Sequence, residues 1–333
     1  MLYFIFFIGL TTKLIRFYLP DPFTLYAPSR SEKLEIINRF TESTNVAAFG
    51  SSHIETAFDP RVFDNQAHKN GLPLKSINLA IGGGNHPEQV LMAKKFMEKK
   101  STRSEKKSSQ LIILEITNGV TFPPINRYTS RAINVYDFET TKLSFKLKKL
   151  TGSDLEKSVG QKLVALNSFI LNSLNTGMLS SYIFINKKFD PEKLYENLKD
   201  DKRGYHVSNH KIGDDEAKVI KRINTEKFRN INHEKIIEIL LKEKNSSNYS
   251  FLFVAAPLLE NKYDKECVKY PEKINIQKNE VPIFNFSCKE ENPELFESNN
   301  WSDPAHLNSN GAQILSTLLA NKVTKWLKNK GAN

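Results

Sequence analysis

Two kinds of apolar pattern alternate along most of the chain. Short runs, apolar at almost every position, occur at residues 45–49 (NVAAF), 76–81 (SINLAI), 110–116 (QLIILEI), 250–256 (SFLFVAA) and 281–286 (VPIFNF). Strands that are apolar on both faces are covered on both sides, so these runs predict five strands of a mainly parallel sheet. Elsewhere the period is helical. Val90, Leu91 and Met97 recur at helix spacing after Pro87, with Asn85 and Glu88 placed as a capping box. Over residues 313–327, Ile314, Leu315, Leu318, Leu319, Val323, Trp326 and Leu327 form one stripe, with Lys322, Lys325 and Lys328 towards its end. The alternation predicts one α/β domain over residues 44–330. Residues 120–248 are mostly charged and helical in pattern, too long for a crossover, and read as a large insertion or cap, partly irregular around 200–214.

The N-terminus has a different pattern. Residues 1–10 (MLYFIFFIGL) are almost wholly apolar, and Leu14, Ile15, Phe17, Tyr18 and Leu19 extend the run, interrupted by Lys13 and Arg16. A spanning helix needs about 20 apolar residues, a length reached here only if both cations snorkel. Residues 1–19 are therefore expected to be an export or membrane-anchor segment, the alternative being a buried or interfacial helix. Residues 20–43, with Pro20, Pro22 and Pro28, are expected to form an extended tether. The expected location is extracytoplasmic, anchored or exported.

Composition narrows the classes. With 333 residues, 39% hydrophobic and 26% charged, the chain is an ordinary globular one. Two cysteines exclude a disulfide scaffold and a four-thiolate zinc site; Cys267 and Cys288 pair in an oxidising compartment and remain thiols in a reducing one. The net charge of +11 is concentrated in two lysine clusters, 94–107 and 142–149. Without a recognition helix, zinc finger or RNP-type stretch these read as solvated helix faces, and no nucleic-acid partner is expected. His206 and His210 have the i,i+4 spacing of metal ligands but lack an acidic or thiolate partner pattern. No metal and no cofactor are expected.

In open parallel sheets, ligands bind beyond the carboxyl ends of the strands. Three segments there carry reactive residue types. Gly50-Ser51-Ser52-His53 follows the first strand and presents a serine hydroxyl on a tight turn. Asn78-Leu79-Ala80-Ile81-Gly82-Gly83-Gly84-Asn85 follows the second, and consecutive glycines let backbone N–H groups approach an oxyanion; the spacing fits neither a phosphate loop nor a dinucleotide fingerprint. Asp303-Pro304-Ala305-His306 precedes the last helix, and an aspartate three residues before a histidine on one helical turn can orient the imidazole as a base. Each feature alone is common as a cap, a turn or a surface histidine. Their combination in this order is not.

Together these blocks make the chain resemble the SGNH/GDSL-type hydrolases. The family's Gly-Asp-Ser block corresponds to Gly50-Ser51-Ser52, its Asn and Gly to Asn78 and Gly83, and its Asp-x-x-His to Asp303 and His306; its Gly-x-Asn-Asp block keeps only Asn118. The resemblance covers about 45–119 and 249–328. It implies a flavodoxin-like three-layer α/β/α sandwich, with Ser52 as nucleophile, His306 as base and Asp303 orienting it. Gly83 and Asn118 are the implied oxyanion donors. His53, Asn85 and His86 are candidate substrate contacts, and Trp301 reads chiefly as packing. The Gly-Ser-Ser variant, the apolar N-terminus and the basic chain are similar to membrane-anchored members that acylate envelope polymers. An acylated carbohydrate or envelope polymer is then the expected substrate, with a membrane acyl-transfer protein as partner. Water as acceptor gives an esterase and a sugar hydroxyl a transferase. A non-catalytic binding or assembly protein on the same fold is the alternative.

Overall fold

The computed structural model describes residues 28–103, 110–116, 135–147, 155–173, 202–212, 233–243, 246–259, 269–277 and 279–331, with Tyr3, Phe7, Leu10, Thr11 and Leu14 near the N-terminus. In chain order the elements are α1 (Pro28–Phe40), β1 (Val46–Phe49), α2 (Ser52–Ala57), α3 (Pro60–Lys69), β2 (Ser76–Asn78), α4 (His86–Arg103) and β3 (Gln110–Glu115). There follow α5 (Phe138–Leu147), α6 (Leu155–Ser173), α7 (His233–Leu240), β4 (Tyr249–Ala255), β5 (Lys273–Ile276), β6 (Asn279–Asn285), β7 (Trp301–Asp303), β8 (His306–Leu307) and α8 (Ser309–Gly331).

The fold is α/β with a mostly parallel central sheet in the order β2-β1-β3-β4-β6-β5. Every pairing is parallel except β5 with β6, which is antiparallel at the edge. Alternate strand residues face opposite cores. Val46, Ala48, Leu111, Ile113, Leu252 and Val254 pack with Ile54, Phe63, Leu315 and Leu319 from α2, α3 and α8. Ala47, Phe49, Ile112, Leu114, Phe251 and Phe253 pack with Ile36, Val90, Phe96, Leu143 and Ile237 from α1, α4, α5 and α7. Both faces are covered, which is why the central strands are apolar at every position. The connections from β1 to β2 and from β2 to β3 run to opposite sides of β1. The order reverses there, and the crevice at the carboxyl ends of β1 and β3 is the topological switch point.

Several expectations need correction. Residues 28–43 are not tether: α1 buries Ile36, Ile37 and Phe40 against the sheet. Its Lys33 is wholly buried, donates to the Gly204 carbonyl and lies 3.4 Å from Glu55. The second strand ends at Asn78, not at Ile81, because the Asn78 side chain turns away to bond α2; the Leu79 and Ile81 amides still reach the Ala48 and Gly50 carbonyls outside a regular ladder. β5 was not anticipated, since Lys273 and Asn275 are exposed and only its alternate residues face inward. The last helix is longer at both ends than residues 313–327.

The described part of the long central segment is laced into the domain. The Asn78 amide donates to the Arg203 carbonyl at 2.9 Å, Ile212 to Trp301 at 2.9 Å, and Ser309 to Ser208 at 2.8 Å. At the N-terminus, the side chains of Tyr3, Phe7, Leu10 and Leu14 are exposed. Among the described residues, no helix is long and apolar enough to cross a membrane.

Candidate active site

Ser52 is the first residue of α2, three positions beyond the end of β1. Ser51 caps the helix, its hydroxyl accepting the His53 backbone N–H. Gly50 makes the turn sterically feasible: a Cβ there would lie 2.5 Å from Glu115 Oε2 and 2.8 Å from Ile54. Across the site, β7 and β8 pair as a short antiparallel hairpin. Asp303 and His306 therefore sit on a strand turn, not on the helical turn expected before α8. The reason is local. Asp303 Oδ1 accepts the Ala305 and His306 amides at 2.8 and 3.0 Å, closing an Asx-type turn around Pro304.

The same carboxylate holds the imidazole. His306 Nδ1 lies 2.9 and 2.8 Å from the two Asp303 oxygens, and His306 Nε2 lies 2.7 Å from Ser52 Oγ. Burial alone pushes the Asp303 carboxyl upward, but hydrogen bonds from His306 and the turn amides outweigh it and leave the pKa below its ordinary value. An ionised Asp303 takes the Nδ1 proton as a hydrogen bond, so neutral His306 presents a bare Nε2 to the Ser52 hydroxyl. Ser52 and His306 are 254 positions apart. They meet because α8 packs on the α2–α3 corner, where Ser316 Oγ accepts the Asp59 amide at 2.8 Å and donates to the Ala57 carbonyl. Trp301, fully buried, donates from Nε1 to the Leu295 carbonyl and anchors the hairpin by packing.

No protein-family model matches the chain, and no curated protein sequence matches it either.

A residue that sequence reasoning missed completes the crevice. Glu115 ends β3, and its side chain is 1% exposed. It accepts the Ser51 amide at 2.5 Å, the Ser51 hydroxyl at 3.2 Å and His53 Nδ1 at 3.1 Å. Burial favours protonation, but the His53 and Ser51 donors together overcome it and hold the pKa below the usual carboxylate range. The available signal was a single acidic residue closing an otherwise apolar run at the switch point. The His53 ring lies beside His306, their centroids 5.7 Å apart.

The remaining candidates fall in different places. Gly83 is exposed in the loop after β2, at φ +63°, a left-handed conformation that favours glycine. Asn78 is fully buried, and its Nδ2 donates to the Ile54, Glu55 and Phe58 carbonyls at 3.0, 3.2 and 2.8 Å, tying the end of α2 to β2. Asn85 and Glu88 form the capping box at 3.0 and 3.2 Å, so the Asn85 side chain is spent on α4. His86 does not line a crevice: it is 2% exposed and stacks edge-on against His233, with centroids 5.5 Å apart. Asn118 lies outside the described residues, as does Cys267; Cys288 is disulfide-bonded. A separate cleft of about 950 Å³ lies away from Ser52, and its Arg39, Arg61 and Arg203 are already paired with Glu35, Asp59 and Asp64.

Proposed function

We propose that the protein is a serine-dependent acyl-ester hydrolase or O-acyltransferase of the SGNH type. The reading rests chiefly on the 2.7 Å approach of His306 Nε2 to Ser52 Oγ with Asp303 behind Nδ1. A nucleophile touching a base that is itself oriented by a carboxylate is the arrangement acyl transfer through a serine ester requires. Ser52 Oγ attacks the acyl carbon as His306 takes its proton, and Asp303 stabilises the resulting imidazolium. Backbone N–H groups of Ser52 and Gly83 hold the oxyanion in this scheme, each worth ~3 kcal/mol in such sites. The strand order and the helices on both faces are compatible with the flavodoxin-like sandwich of that family.

The substrate in this proposal is an acylated carbohydrate or envelope polymer outside the cytoplasm, reached from a membrane anchor at residues 1–19. The exposed apolar side chains at Tyr3, Phe7, Leu10 and Leu14 and the disulfide-bonded Cys288 favour that placement. The test is labelling with a fluorophosphonate serine probe alongside release of acetate from acetylated xylan or peptidoglycan. Wild type is expected to take the label and Ser52→Ala to lose both label and activity. A folded wild type that takes no label overturns the proposal.

A further inference from the structure

Two histidine–carboxylate pairs stand side by side next to Ser52, their imidazole centroids 5.7 Å apart, and the relay just described uses only one. His306 is held by Asp303; His53 is held by Glu115. We propose that the two divide the proton traffic of the reaction, His306 serving the serine oxygen and His53 serving the alcohol that leaves or arrives. The inference rests on Ser52 being acylated.

The geometry assigns His53 its chemical form. His53 Nδ1 lies 3.1 Å from Glu115 Oε1 and 3.2 Å from Ser51 Oγ; the Ser51 hydroxyl donates to Glu115, and an ionised carboxylate can only accept, so Nδ1 carries the proton directed at that pair. Nε2 is therefore the nitrogen left to exchange a proton, an acid when protonated and a base when bare, and it has no hydrogen-bond partner among the described residues. The side chain is 12% exposed while Glu115 behind it is 1% exposed. This is the form of a general acid–base group: carboxylate buried behind, nitrogen open in front. The charged and titratable groups facing it are Glu115 from β3 and His306, backed by Asp303, from the hairpin.

The cycle balances. The cycle begins with His306 neutral and with a proton on His53 Nε2. The ester's acyl–oxygen bond breaks as Ser52 Oγ bonds the acyl carbon; the serine proton passes to His306 Nε2, and the departing alcohol takes the proton from His53 Nε2, leaving that nitrogen bare. An acceptor hydroxyl then bonds the acyl carbon and gives its proton to His53 Nε2. The Ser52–acyl bond breaks, and the serine oxygen recovers its proton from His306. Each imidazolium is stabilised by its own carboxylate, and no proton is gained or lost over the cycle.

The experiment separates the two halves with p-nitrophenyl acetate, whose p-nitrophenolate leaves without needing a proton. Acylation is read as p-nitrophenolate release with enzyme in excess, and the whole cycle as steady-state turnover. For His53→Gln, acylation is expected within about twofold of wild type while turnover falls ~10²-fold, the usual size of a general-base contribution. On ethyl acetate, whose ethoxide must be protonated, acylation falls as well. Glu115→Gln, which keeps the imidazole but removes its anionic partner, is expected to show the same split, and decides the matter if His53→Gln does not fold. Turnover within twofold of wild type in the folded variant, or acylation and turnover falling together on the aryl ester, overturns the proposal. A wild type that never acylates Ser52 overturns it too, but by the failure of the reading beneath it.

Discussion

Asp303 performs two tasks with one carboxylate: it closes the turn that presents His306 and fixes which imidazole nitrogen carries the proton. Replacing it by asparagine keeps the turn but lets the amide donate to Nδ1, which moves the ring proton to Nε2 and faces Ser52 with a donor. Asp303→Asn is therefore expected to lose ~10⁴-fold in kcat while staying folded, the loss known for a wrongly protonated triad imidazole. Its pH behaviour has a definite sign. The native carboxyl titrates below its ordinary value of 3.8, so its contribution to stability is present above that value and disappears as pH falls through the lowered one. Urea midpoints of wild type and variant are expected to converge as the pH drops below 3.8. At this scale Ser52, Asp303 and His306 were legible because each is a reactive residue type in a short motif. Glu115 was not, because its role depends on β1 and β3 lying side by side, a fact no local pattern carries.

Among the elements, α2 is short, six residues, and owes its position to bonds beyond its own ladder. Asn78 supplies them, satisfying three carbonyls at the end of α2 from a fully buried site. Asn78→Ala would take the side-chain donor from the Phe58 carbonyl and leave the Ile54 and Glu55 carbonyls only their backbone donors from Phe58 and His206, at a cost of about 1–3 kcal/mol by urea denaturation, and misplace Ser52 as well. Activity per folded molecule is thus expected to fall, separating it from Asn85→Ala. That change removes one cap from α4 and costs about 1 kcal/mol with activity intact. The strands were readable where both faces are buried, as in β1, β3 and β4. β5 escaped notice because an edge strand with one solvated face lacks a continuous apolar run. α1 escaped because its prolines suggested a tether, whereas Pro28 is simply its first residue and Ile36, Ile37 and Phe40 supply the apolar contacts. The hairpin bearing His306 was mistaken for a helix because Asp-x-x-His fits the hydrogen-bonding geometry of either turn.

For the molecule as a whole, stability is coupled to two buried histidines. Burial pushes His86 down to about 4 and His233 to about 3, from an ordinary 6.5. The folded protein keeps both neutral while the unfolded chain protonates them, so stability is full above 6.5 and falls as the pH drops from there towards 4. Between pH 7 and 5 each is expected to cost about 2 kcal/mol, and His86→Phe, if it folds, is expected to flatten that slope by close to one proton. Whole-chain closure also builds the candidate active site, since Ser52 and His306 come from near opposite ends and meet only when α8 docks on α2 and α3. Intact-mass and peptide-mass analysis after fluorophosphonate treatment tests that junction most directly. It is expected to find one adduct, on Ser52, forming at least ~10³-fold more slowly in His306→Ala. An adduct on another residue, or one forming on Ser52 at the same rate without His306, would contradict a serine activated by that histidine.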